Sequence, residues 1–309
     1  MRTLREILAE ADAKHVAVGH FNISELAALK GIFAAAMELS GAGVRSQESG
    51  VPILIGVSEG EREFIGVKQA AALVRSLREG YDYPIFINAD HTHSLDKAKA
   101  AAEAGFDEII FDASALPMDE NIKQTQEAVK IIRSINAGIV IEGEIGYIGS
   151  NSEVIEKKPD NLALSTPEEA VRFMRETGVD VLAPAVGNMH GLLASMVSGA
   201  EHKRLDIVRI GEVKKAIIEA LAAQGAHGAG TWMTLHGGSG TADEDFVAAV
   251  KVGMNIVHVS TELRLAWRRG VEEGLGAHPD EIAPYKILPP AVERIKQIVL
   301  QRLKLFNGE

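Results

Sequence analysis

The chain has 309 residues, 46% of them hydrophobic and 24% charged, which suffices for a sizeable core and excludes a disordered polymer. A formal charge of −11 and a pI near 5.5 argue against nucleic acid or an anionic membrane as partner, though not against an anionic small molecule held by helix N-termini. There is no cysteine, so there is no disulfide framework and no thiolate nucleophile, and any metal site must be built from histidine and carboxylates.

Residues 1–6 begin an amphipathic helix pattern and do not read as a signal peptide; no apolar run approaches membrane-spanning length, so a cytoplasmic protein is expected. Apolar runs at residues 16–21, 51–57, 84–87, 108–111, 139–145, 181–186, 231–235 and 256–259 read as strands. Helical patterns fall between them, at residues 24–40, 67–78, 94–104 with Ser94 as N-cap, 117–135 and 210–224. Thr166-Pro167-Glu168-Glu169 opens another, with an N-cap, a first-position proline and acids in the first turn. An amphipathic helix at 289–306 closes the chain. Eight strands alternating with helices predict an α/β fold, a (β/α)8 TIM barrel occupying residues 1–309 as one catalytic domain, with a helical extension from about residue 285. A doubly wound open sheet is the competing arrangement. Two connections, 41–50 and 147–164, exceed plain turns. The second carries Glu153, Glu156, Lys157 and Lys158, and reads equally as a mobile active-site loop or a solvated surface loop.

The third run ends in Asn88-Ala89-Asp90-His91-Thr92-His93, where a buried strand should stop and a loop begin. Other polar residues gather at strand ends: Asn22, Ser58, Asp112, Glu142, Glu144, His190-Gly191, His236-Gly237-Gly238-Ser239-Gly240 and Ser260-Thr261. A barrel brings all of these to one face. A lone histidine beside a strand is commonly a hydrogen-bonded structural residue, but His91, His190 and His236 each follow a different strand, and three imidazoles with an open position make a catalytic Zn²⁺ site. His93 is the lesser choice, because it points away from His91 if the strand continues. The Gly237–Gly240 segment, with the Ser239 hydroxyl and Ser260-Thr261 opening the next helix, could cradle a phosphate; a tight turn explains the glycines alone equally well. A metal beside a phosphate suggests a phosphorylated ketose whose carbonyl is polarised toward an ene-diolate. Asp90 is placed to move protons, or else to orient the imidazole next to it.

Together these residues are recognisable. Phe21-Asn22, Ala89-Asp90-His91, Phe111-Asp112-Ala113-Ser114, Glu142-Gly143-Glu144-Ile145-Gly146, His190-Gly191 and Leu235-His236-Gly237-Gly238-Ser239-Gly240 resemble the class II (metal-dependent) ketose-bisphosphate aldolases over nearly the whole chain. The resemblance implies zinc-dependent retro-aldol cleavage of a phosphorylated ketose to dihydroxyacetone phosphate and an aldehyde. It implies His91, His190 and His236 as Zn²⁺ ligands, Glu144 approaching the metal, Asp90 on the aldehyde-derived oxygen, and Gly191, Gly237, Ser239, Ser260 and Thr261 on the phosphate. Gly238, Asn22 and Ser58 join the substrate-binding set. It also allows a second divalent ion and a monovalent cation beside the phosphate, and a homodimer or homotetramer.

Departures bear on the substrate. Aligned through the loop, the carbon base falls near Ser152, making Glu153 the expected base. The basic residue expected just after His190-Gly191 is missing, His258 replaces an asparagine that contacts the ketone, and Tyr285 beside Lys286 replaces the arginine for a distal phosphate. Two alternatives stand beside the aldolase: a metal-dependent sugar-phosphate isomerase or epimerase, and a non-catalytic metal-binding relative.

Overall fold

A computed structural model describes residues 2–41, 50–149, 152–158, 162–223 and 231–308. Most of the 41–50 connection, parts of the 147–164 loop and the predicted helix end at Gln224 lie outside the described residues. Eight parallel strands form the barrel: β1 (Val18–Asn22), β2 (Ile53–Val57), β3 (Ile85–Thr92), β4 (Glu108–Phe111), β5 (Val140–Ile145), β7 (Val181–Pro184), β9 (Trp232–Leu235) and β10 (Ile256–Val259). Two short strands, β6 (Val154–Ile155) and β8 (Leu192–Leu193), pair outside it. The last barrel strand pairs with the first, His20 opposite His258, and this closure rules out the open sheet. Helices cover the outside, so the strands are buried on both faces and read as near-continuous Val/Ile/Leu runs.

The N-terminal helix Leu4–Lys14, started by a Thr3–Glu6 capping box, plugs the barrel floor. Its Leu4, Ile7, Leu8 and Ala11 pack on Val18, Leu54, Phe86, Val140, Val181 and Ile256, which lie at or near the strand starts. The opposite, carboxyl-terminal mouth is left for chemistry. Helix Pro289–Phe306 matches its predicted span and packs on helices Leu26–Leu39 and Thr261–Ala277. Among the described residues no helix is long and apolar enough to cross a membrane.

The third strand does not stop at Ile87. It runs through Thr92 with a register shift between Ala89 and Thr92, and His91 sits in the left-handed region at φ 41°. Few side chains accept that backbone, and Arg62 braces it. The guanidinium, buried in the unpredicted helix Glu59–Ile65, donates to the carbonyls of Val57 and Asp90 and to Thr92 Oγ1. The kink keeps Asp90 and His91 both at the barrel mouth. The pairing of β6 with β8 was also unpredicted. It draws the Glu153 loop over the loop that follows His190, with the Leu192 amide donating to Glu153 O at 2.8 Å.

Candidate active site

Beneath the mouth the barrel interior is polar, which is unusual for so enclosed a place. His20 on β1 stacks on His258 of β10 at 3.4 Å between centroids, and His258 stacks on His236 at 4.3 Å. A Cβ at Gly56 would lie 2.1 Å from the His20 ring, so that glycine makes the room the imidazole occupies. His20 Nε2 meets Asn88 Oδ1 at 3.1 Å, and Asn88 Nδ2 donates to Glu108 Oε2 at 2.7 Å. Burial, reinforced by neighbouring Glu142, raises the Glu108 carboxyl well above the usual carboxylate range.

Above this layer His91, His190 and His236 converge, with one nitrogen from each lying within 4.8 Å of the others. His91 makes ring-centroid distances of 4.8 Å to His190 and 4.7 Å to His236, at steep interplanar angles that let lone pairs point inward. Carboxylates hold two of the rings from behind. His91 Nδ1 donates to Asp112 Oδ2 at 2.9 Å. His236 Nε2 donates to Glu142 Oε1 at 2.6 Å, and Glu142 Oε2 accepts from Thr234 Oγ1 at 2.6 Å. Glu144 Oε2 lies 3.3 Å from His236 Nδ1 and 3.6 Å from His91 Nδ1. Other clusters of the same kind share these residues: His91 with Asp112 and Glu144, His236 with Glu142 and His258, and His20 with Asp90 and His258.

The charges follow from this packing. Burial alone would push the His91 ring down, but Asp90, Asp112 and Glu144 outweigh it and its pKa rises to about 9. His236 is likewise raised, against its burial, by Glu142 and Glu144. His190 has no carboxylate contact of this kind; burial and the two neighbouring rings lower it well below the usual imidazole value. Asp90 stays anionic despite burial because His91 and His258 stabilise the carboxylate. Buried polar atoms without a hydrogen-bond partner gather here: His236 Nδ1, Asp90 Oδ1, Glu144 Oε2 and Ser260 Oγ. Such atoms are costly unless something coordinates them, and nitrogen donors beside carboxylates fit a divalent first-row metal.

Next to the histidines lies a group of backbone amides free to donate. Among the described residues the amides of Gly191, Gly237, Ser239 and Thr261 have no hydrogen-bond partner, and these residues line one small pocket with Ser260 and His258. Gly238 differs from its neighbours: its amide donates to His258 O at 3.0 Å and helps to build the turn. Gly237 has φ 59°, and a Cβ there would stand 2.2 Å from Met189 O. The glycine is what lets the two histidine-bearing loops touch.

A family model described as "Fructose-bisphosphate aldolase class-II" matches residues 2–309. The chain belongs to the class II fructose-bisphosphate aldolase family. It is thereby an aldolase, a lyase by reaction class. Its sequence is 31% identical to the fructose-bisphosphate aldolase of Geobacillus stearothermophilus over 309 residues, covering 99% of this chain and 96% of that one. It is 30% identical to the probable fructose-bisphosphate aldolase of Bacillus subtilis, covering 99% and 97%. Among solved structures the YdjI aldolase of Escherichia coli K12 superposes with a TM-score of 0.76 at 25% identity, covering 98% of this chain and 96% of that one.

Within this aldolase the other expected residues fall as follows. A second cavity of about 320 Å³ opens over the histidines, lined by Ser58, Asp90, His91, Asp112, Glu153 and Arg264 among others. Asn22 lies deeper, its amide donating to Asp90 Oδ2 at 2.8 Å and to Glu61 Oε2 at 3.0 Å. Glu153 is exposed at the rim. His93 has an exposed ring that meets Asp112 O at 3.0 Å, one layer out from His91. Tyr285 is 76% exposed and Lys286 pairs with Glu281, and neither lines the cavity. Sequence reasoning missed His20, Glu108, Arg62, Lys203 and Arg264. A polar residue inside an apolar strand was a usable signal for His20 and Glu108; nothing local marked the three cations.

Proposed function

We propose that this aldolase is zinc-dependent and cleaves a phosphorylated ketose, fructose 1,6-bisphosphate or a close relative, reversibly into dihydroxyacetone phosphate and an aldehyde. The observation that carries the reading is the convergence of three imidazoles beside free amides in one cleft. His91, His190 and His236 would hold the ion, with Glu144 next to it, and a bound Zn²⁺ would polarise the ketone carbonyl. The amides of Gly191, Gly237, Ser239 and Thr261, with Ser260 Oγ, bind the ketone's phosphate. Asn22 and His258 position the sugar from below.

In the cleavage direction anionic Asp90 takes the proton of the hydroxyl whose carbon is to become the aldehyde. The carbon–carbon bond breaks, its electron pair goes to the ketone-derived carbon, and Glu153 delivers a proton there. The far end of the substrate meets Arg264, the single lysine or arginine among the described residues lining the larger cavity, with Ser58 nearby. Assembly as a homodimer or homotetramer and a cytoplasmic location complete the proposal.

The test is a cleavage assay over a panel of ketose mono- and bisphosphates with zinc content measured on the same sample. Triose phosphate release that tracks zinc and is abolished by a chelator is expected, and borohydride should trap no covalent adduct. Epimerised or isomerised sugar as the only product would replace the aldolase reading with that chemistry; zinc lost from His91→Ala with turnover unchanged would leave a non-catalytic metal site.

A further inference from the structure

Lys203 is 4% exposed, an uncommon setting for a lysine, and it stands behind the phosphate cradle rather than in the cleft. Its ammonium donates to Met189 O at 2.7 Å and to Gly237 O at 2.8 Å. Met189 immediately precedes His190, and Gly237 immediately follows His236. The backbone of Lys203 clasps the same loop: its amide donates to Gly240 O at 2.8 Å, and its carbonyl accepts from the Ala242 amide at 3.2 Å. One side chain therefore ties both histidine-bearing loops together from underneath.

The local charges explain why the lysine needs an anion. Burial lowers its pKa to about 7, and Glu262 is the acidic group that opposes this. That carboxylate is already engaged, accepting from the Gly240 amide at 2.7 Å and from Arg302 at 3.0 Å. A dianion in the cradle would give the ammonium the counter-charge that its surroundings lack, across a low-dielectric gap where such attraction is strong. Clustered carbonyl oxygens are also what a dissolved potassium ion uses in place of water. The two carbonyls that back this cradle are already taken by the lysine.

We infer that Lys203 is a covalently tethered monovalent cation for the phosphate site, so that this aldolase needs no free potassium or sodium ion there. The inference rests on the reading of the glycine-rich loop as a phosphate cradle. It also accounts for the missing basic residue after Gly191, since the positive charge arrives from a later segment.

The experiment measures binding of inorganic phosphate and of dihydroxyacetone phosphate by calorimetry at constant ionic strength, with tetramethylammonium replacing potassium and sodium. Wild-type affinity is expected to stay the same. A loss of about tenfold or more on removing potassium and sodium would overturn the inference. Lys203→Met should keep its zinc, bind phosphate about tenfold or more weakly in tetramethylammonium, and regain part of that affinity when potassium or ammonium is added. Phosphate binding by Lys203→Met equal to wild type in tetramethylammonium would also refute it. If the variant does not fold, the wild-type cation series decides alone. Wild type that binds phosphate in no salt at all would remove the cradle reading, and this inference with it, an outcome distinct from binding that depends on potassium.

Discussion

Glu142 and His236 are both fully buried, and replacing Glu142 with glutamine tests whether the carboxylate sets the metal affinity of the ring. The wild-type pair is a short charge-assisted bond of 2.6 Å, with Thr234 holding the other carboxylate oxygen. Glutamine keeps the shape and can still accept from His236 Nε2, but it exchanges a charged acceptor for a neutral one. Such an exchange costs about 1–2 kcal/mol, and loss of a carboxylate behind a metal-bound imidazole commonly weakens metal binding about ten- to a hundredfold. Two opposing effects are built into the site. Removing the negative charge also lowers the proton affinity of His236, so the proton competes less with the metal and the defect should shrink as pH falls. Removing it also takes away the lesser of two causes that raise the Glu108 carboxyl, burial being the larger. Zinc dissociation constants from chelator competition at about pH 8 and about pH 6.5, with urea unfolding of the metal-free protein, separate these terms. Unchanged zinc affinity at the higher pH would show that the buried carboxylate does not act on the metal through His236.

Three further outcomes follow from the geometry. Arg264→Met should raise KM for a ketose bisphosphate about tenfold or more and leave a monophosphate unaffected. Its partly exposed ion pair with Glu61 contributes little to folding, so equal KM changes for both substrates would dismiss the distal role. Gly237→Ala forces a side chain into left-handed backbone and against Met189 O, and should cost about 2 kcal/mol or more while weakening phosphate binding; an unchanged Tm would contradict the close approach. Metal-free protein should lose stability as pH rises from about 6.5 to about 9, because the raised pKa of His91 contributes on the order of 3 kcal/mol that is complete below the unfolded value and gone above the folded one. Chelated protein whose urea stability is flat or rising over that range would oppose the assignment.

The barrel was legible because its strands are apolar on both faces and its helices carry strong end signals, Thr166-Pro167 and Ser94 among them. The convergence of the three histidines was legible because each lies near or beyond the carboxyl end of a different strand, and a barrel sends all such ends to one mouth. What escaped was set by tertiary contact. The left-handed His91 depends on Arg62 arriving from a neighbouring helix, and nothing local to residues 88–93 encodes it. Gly238 looked the same as its neighbours in sequence, yet the His258 carbonyl claims its amide while Gly237 and Ser239 keep theirs. Lys203 comes from an irregular segment, and its meaning appears only once two distant carbonyls are placed beside it.

These contacts also show how the site tolerates so much negative charge before a metal arrives. Asp90, Asp112 and Glu144 around His91 raise its pKa to about 9, so near neutral pH that ring carries a proton, and Glu142 and Glu144 raise His236 as well. That positive charge stands where a divalent ion would bring its own, while His190, lowered by burial and by the other rings, is already neutral and able to bind. Loading zinc should therefore release protons near pH 7, that of His91 among them. Calorimetry of zinc binding in buffers of different ionisation enthalpy reads their number directly. The release should fall as the pH passes about 9, where His91 gives up its proton unaided. Zinc binding with no proton release near pH 7 would mean that the rings are neutral before the metal binds. Asp112 could then not act as the anionic support assigned to it.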